Sequence, residues 1–259
     1  MKSFGLFVVL LFLVGCSAQL ETPTEVAESG SSAVLVCVGM SNAHQECGDF
    51  KQKVEGVLRD ELNPSFRVVN CAVGGHALER WNNASYDDVL WGACKQQLSA
   101  LGVSSADEVH VWHKAATQFV RDENNELLSV DEAKKDFYRE LTVFSYRLAE
   151  EMPFVEVVHV SGRSYGGFAT RPDRGEPLAK ETNEVVRRWV ADHPEVRGVA
   201  YVQGPYLWAQ ECSQEQESNT LCYTRTDYQQ DGIHPATGAR NKISRVLHEY
   251  FSAFNWYSG

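Results

Sequence analysis

Apolar residues along this chain alternate between two rhythms. Ala33 to Val38 is a continuous apolar run closed by Gly39, the pattern of a strand buried on both faces of a parallel sheet. From His44 to Leu62 the positions Phe50, Val54, Val57, Leu58 and Leu62 recur at helical spacing until Asn63-Pro64 stops them. Phe66 to Val73 predicts a second strand ended by Gly74-Gly75, and Tyr86 to Leu101 a second helix closed by Gly102. A third strand follows at Glu108 to Trp112. Asp131 to Glu150 is then a helix with Phe137, Leu141, Phe144 and Leu148 on one face, stopped by Pro153. Phe154 to Val160 and Gly198 to Val202 read as further strands, with helices over Glu181 to Ala191 and Thr237 to Phe251.

This alternation predicts an α/β fold, a three-layer sandwich with a parallel five-stranded sheet of flavodoxin-like order 2-1-3-4-5, in one domain over residues 33–259. Two long connections, Arg163 to Lys180 and Gln203 to Gln230, break the rhythm. Loops of that length are usually functional, and those after parallel strands lie at the carboxyl edge of the sheet. Gly39 to Ser41, Gly74-Gly75, His113-Lys114, Arg163 to Tyr165 and Gly204 to Tyr206 are thereby expected on one rim.

The N-terminus changes the expected compartment. Met1-Lys2, an apolar run from Phe4 to Val14, and Gly15-Cys16-Ser17-Ala18 read as a bacterial export signal over residues 1–18. Leu13-Val14-Gly15-Cys16 resembles a lipobox, which implies lipidation at Cys16, and cleavage after Ala18 as an ordinary secretory peptide is the competing reading. Residues 19–32, rich in Glu, Thr, Ser and Pro, read as a tether. The expected location is therefore outside the cytoplasm, membrane-anchored through lipid or soluble in the periplasm. Six further cysteines in an exported chain favour disulfides. Cys212 with Cys222 is the first expected pair and Cys47 with Cys94 the second, while Cys37 and Cys71 read equally well as buried thiols. Nothing in the cysteine and histidine spacing suggests a zinc site. The net charge of -11, without a Lys/Arg cluster, argues against a nucleic-acid partner.

The chemistry sits at the two ends of the chain. Ser41 falls between a strand and a helix, where its hydroxyl reaches the rim and its amide faces the helix start. His234 could take the serine proton and Asp231 could orient the imidazole, although each residue alone is commonly a helix cap. Gly39-Met40-Ser41-Asn42, Asn70-Cys71-Ala72-Val73-Gly74-Gly75 and Asp231-Gly232-Ile233-His234-Pro235, in that order, resemble three blocks of the SGNH or GDSL-type serine hydrolases. The resemblance, over about residues 33 to 255, implies that fold, no cofactor, Ser41 as nucleophile, His234 as general base, Asp231 as its partner, and the Gly75 amide beside that of Ser41 as oxyanion donors.

One block departs. Where the family carries Gly-x-Asn-Asp, this chain reads Val111-Trp112-His113-Lys114-Ala115-Ala116. A Trp-x-Gln-Gly-Glu pattern in the carbohydrate-esterase branch puts Lys114 at the glutamine, so Lys114 is expected as a third oxyanion donor, against the reading of a lysine paired with a carboxylate. Arg163, Tyr165, Tyr206 and Trp208, with Glu176, are expected to wall a site for a sugar or other neutral group. The expected reaction is hydrolysis of short-chain O-acyl esters, O-acetyl on carbohydrate foremost. A lipase or thioesterase on lipid acyl chains and a silent glycan-binding lipoprotein are the alternatives.

Overall fold

A computed structural model describes residues 32–118, 120–122, 124–213 and 220–259. The export signal, Cys16 and all of the tether but Ser32 lie outside these residues. The strands are β1 (Ala33–Gly39), β2 (Arg67–Asn70), β3 (Glu108–Lys114), β4 (Val155–Ser161), β5 (Glu195–Val196) and β6 (Val199–Gln203). They form one sheet in the order β2-β1-β3-β4-β6-β5. Every pairing is parallel except that of β5 with β6. The five strands read from the sequence thus keep their order, and a sixth is added at the edge. Glu195-Val196 escaped the sequence reading because two residues are too few for a periodicity. The pairing is set by the turn at Arg197 and Gly198, both at positive φ.

The helices are α1 (Ser41–Glu55), α2 (Leu78–Trp81), α3 (Ala93–Ala100), α4 (Val130–Glu151), α5 (Leu178–Asp192), α6 (Thr237–Phe251) and α7 (Asn255–Ser258). The first predicted helix begins at Ser41 and breaks after Glu55, where the Gly56 amide turns back to the Lys53 carbonyl, and only a short 3-10 turn at Arg59–Glu61 follows. The second predicted helix opens as a π turn over Asp88–Gly92 before α3.

Alternate residues of β1 feed two cores. Val34, Val36 and Val38 pack with Trp81, Trp91, Phe137, Phe144 and Trp189 beneath α2 to α5. Ala33, Leu35 and Cys37 pack with Phe50, Val54, Ile243, Leu247 and Phe251 beneath α1 and α6. Period-two alternation in a strand covered on both sides produces this division.

It also decides the disulfides. Cys37 joins Cys47 on the α1 side, Cys71 joins Cys94 on the other, and Cys212 joins Cys222 in the loop. The expected Cys47–Cys94 bridge is corrected, because those two residues lie on opposite faces of the sheet. The same pairing removes Cys37 and Cys71 as free thiols.

Of three buried histidines among the described residues, His113 and His159 are the most enclosed. His113 stacks on Phe144 with ring centroids 4.0 Å apart. His159 lies edge-on to Phe251 at 5.3 Å and accepts or donates at 3.0 Å to the Tyr250 hydroxyl. Burial pushes both imidazoles down to about 3. In the unfolded chain they titrate at about 6.5. Their contribution to stability is therefore complete above pH 6.5 and is lost as pH falls toward 3, at about 1.4 kcal/mol per histidine per pH unit. Urea unfolding at pH 5 is expected to show about 4 kcal/mol less stability from the pair than at pH 7. The His113→Phe variant, which leaves no polar atom in place of the buried, unpartnered Nδ1, should lose about half of that dependence.

Candidate active site

β1 delivers the chain to the rim at Gly39, and Ser41 is the first residue of α1. No side chain caps this helix, so its first amides, those of Ser41 and its neighbours, have no partner within the helix. At the other end of the chain, Asp231 to His234 form a turn held by its own carboxylate. Asp231 Oδ1 accepts from the amides of Ile233 at 2.9 Å and His234 at 3.0 Å. Gly232 sits in it at φ +68°, and a Cβ there would meet the Phe168 carbonyl oxygen at 1.7 Å, so only glycine fits. The amide and hydroxyl of Thr170 donate to the Asp231 carbonyl at 3.0 and 3.1 Å, clamping the turn beneath the loop that follows β4.

The two ends meet. Asp231 Oδ2 lies 2.5 Å from His234 Nδ1, which fixes the proton on Nδ1 and leaves the Nε2 lone pair to accept from the Ser41 hydroxyl at 2.9 Å. Partial burial would raise the Asp231 carboxyl, but the amides of Ile233 and His234 and the imidazole outweigh it and hold the group below its ordinary value. The Asn42 side chain donates to the Ile233 carbonyl at 3.0 Å, tying α1 to the histidine turn. This is the geometry of a serine activated by an oriented base.

Gly75 follows β2, in a segment laid on the end of β1 by bonds from the Cys71 amide to the Cys37 carbonyl and from the Val73 amide to the Gly39 carbonyl. At φ +75° it turns the chain with open space where a side chain would be. It is therefore on the same edge as Ser41.

Lys114 is placed otherwise than expected. Its ammonium donates to both oxygens of Glu46, at 2.5 and 2.7 Å, and the two side chains are 4% and 0% exposed. Burial pushes the lysine down and the carboxyl up, and their mutual attraction opposes both shifts. The expectation of an ammonium committed to an oxyanion is corrected to a buried ion pair between the end of β3 and the second turn of α1. Sequence reasoning missed Glu46, although a signal was present. Ala43, Glu46, Cys47, Phe50 and Val54 form one buried helical stripe, and a glutamate in such a stripe needs a cation.

A narrow cavity of about 40 Å³ opens beside the triad. Its walls include Met40 and Asn42, the chain neighbours of Ser41, together with Ile233, Ala115, Ala116 and Ala179. Of the five expected wall residues, Arg163 and Tyr165 line it and Glu176, Tyr206 and Trp208 do not. Trp208 stands behind, 6.4 Å from the Tyr165 ring and donating to Glu176 at 2.8 Å. Tyr206 is 44% exposed and outside the lining. His76 bonds to the Gly74 carbonyl at 2.8 Å, and its ring meets Tyr86 edge-on at 5.6 Å.

Fold and site together define an α/β protein with a hydrogen-bonded serine, histidine and aspartate at the carboxyl edge of its sheet. No protein-family model and no curated protein matches the chain. Among solved structures it is similar to a Bacteroides fragilis protein described as an acylhydrolase, at 12% identity and TM-score 0.47, over 87% of this chain and 91% of that one. A GDSL-like lipase from Bacteroides thetaiotaomicron matches at 12% and 0.45, over 85% and 88%. A gut microbial diltiazem-metabolizing enzyme matches at 13% and 0.49, over 85% of this chain and 47% of that one. At these identities and scores the likenesses do not bear on chemistry, which stands on the triad.

Proposed function

We propose that this chain is a serine esterase that hydrolyses short-chain O-acyl esters, O-acetyl groups on carbohydrate foremost, through an acyl-serine intermediate. The observation that carries this reading is the unbroken line from the Ser41 hydroxyl through His234 to Asp231. Ser41 Oγ attacks the acyl carbon while His234 Nε2 takes its proton, and Asp231 stabilises the imidazolium that forms. Negative charge on the former carbonyl oxygen is met by the amides of Ser41 and Gly75. Collapse expels the alcohol with the proton from His234, and a water activated by the same base releases the acid.

The size of the cavity favours short acyl groups, since about 40 Å³ holds roughly three groups of the size of a water. Tyr165, with Trp208 behind it, offers the aromatic surface that suits a sugar. The chain is proposed to act outside the cytoplasm, anchored through lipid at Cys16.

A fluorophosphonate is expected to label the wild-type protein and to leave Ser41→Ala unlabelled. In a series of aryl esters, turnover should be highest for acetate and fall by octanoate. A maximum at long chains would instead assign a lipase, and absence of labelling in folded protein would assign a binding protein.

A further inference from the structure

Three cations line the cavity beside Ser41, and among the described residues two of them lie within ion-pair range of a carboxylate, Arg174 sharing Asp173 with Arg171. Lys114 is held by Glu46, and Arg174 lies 3.7 Å from Asp173. Among the described residues the Arg163 guanidinium makes a single hydrogen bond, from Nη2 to the Thr117 carbonyl at 2.5 Å. Among the described residues no carboxylate comes within ion-pair range of it, and its Nε–H is buried without a partner. Glu79, Asp173 and Glu176 reach it only through longer-range attraction, and Arg174 repels it.

Arg163 is half-buried, and a buried N–H donor such as its Nε–H is costly to leave without an acceptor. Its planar fork, with donors unspent, matches a carboxylate better than a neutral hydroxyl. The loop after β4 holds Arg163 in the cavity wall by tying its neighbours down. The Arg163 carbonyl accepts from Asn183 at 3.0 Å, and the Gly166 amide donates to Glu176 at 2.9 Å.

We propose that Arg163 is a specificity group for a carboxylate carried by the substrate, so that the ester brought to Ser41 belongs to an anionic molecule. The proposal rests on the serine esterase reading and narrows it. The carboxylate has two possible sources: the far end of a dicarboxylic acyl group, or the sugar acid that bears an acetyl group.

Two matched pairs separate them. Wild-type kcat/KM is compared for 4-nitrophenyl hemisuccinate against its methyl ester, and for an O-acetylated glucuronoside against the O-acetylated glucoside. In one pair the acid should be preferred by about 10- to 100-fold, the range for a charge-assisted hydrogen bond, with the difference carried in KM. The pair that shows it names the source. The preference should collapse toward unity in Arg163→Gln and persist in part in Arg163→Lys. Wild-type turnover of the neutral members with no preference for either acid overturns the proposal and leaves the esterase reading standing, as does a preference that survives in folded Arg163→Gln. Failure to hydrolyse all four substrates, with no fluorophosphonate labelling of Ser41, overturns both. The wild-type comparison decides the matter even where the variants do not fold.

Discussion

Ser41→Ala is expected to lower kcat for a short aryl ester by about 10⁴- to 10⁶-fold, His234→Ala to do nearly the same, and the double variant to lose little more. The reason is geometric. With Nδ1–H committed to Asp231, the imidazole has one lone pair, and that lone pair meets the Ser41 hydroxyl at 2.9 Å. Base without nucleophile, or nucleophile without base, performs no acyl transfer by this route, so the two substitutions remove one event rather than two. What remains in each variant is binding and the backbone amides at the oxyanion, which act in all three proteins alike. Single-turnover kinetics of the three variants check the claim. Costs that multiply would show that Ser41 and His234 act independently and would defeat the shared-proton mechanism.

Lys114→Met is expected to reduce unfolding free energy by about 3–5 kcal/mol, because it strands Glu46 as a buried carboxylate. Glu46→Gln should cost less, since a neutral amide still accepts from the ammonium. The double variant Lys114→Met with Glu46→Leu should recover most of the loss, as apolar replacements of buried ion pairs commonly do. Urea denaturation of the four proteins tests this. Both partners are enclosed, at 4% and 0% exposure, so solvent screening relieves little of the effect. The same series speaks to chemistry. If the double variant folds stably and keeps its turnover, the pair is a brace between β3 and α1. A large kcat loss in that stable protein would return Lys114 to the oxyanion.

Much of the fold was legible because each core strand carries an unbroken apolar run, as in Ala33 to Val38, and each major helix a stripe. The triad was legible because Ser41 follows a strand end directly and Asp231 and His234 share one turn, so local order already fixes most of the geometry. Lys114 was misread because position in a block says where the backbone is and not where four methylene groups lead. Its direction follows from Glu46, on a helix 68 residues earlier in the chain. The second disulfide was misassigned for want of the face on which each cysteine lies. Parity along β1 supplies it for Cys37, which shares a side with Leu35 and α1, but Cys71 lies just beyond a four-residue strand and had no comparable pattern. Tyr206 and Trp208 were grouped with Arg163 and Tyr165 by their shared rim. Only the path of the loop separates the ring that lines the cavity from those that do not.

The bridge between Cys37 and Cys47 encloses Ser41 in a covalent ring. Breathing motions that fray the first turn of a helix usually proceed without disturbing the strand before it. Here the last residues of β1 and the opening turns of α1 are one mechanical piece, and the Cys71–Cys94 bridge fastens the segment that leads to Gly75 to the opposite layer. The serine and the glycine beside it are thus carried on tethered corners. Partial opening is expected to fall first on segments outside these bridges, such as the loop after β4, and only later on the serine and glycine corners.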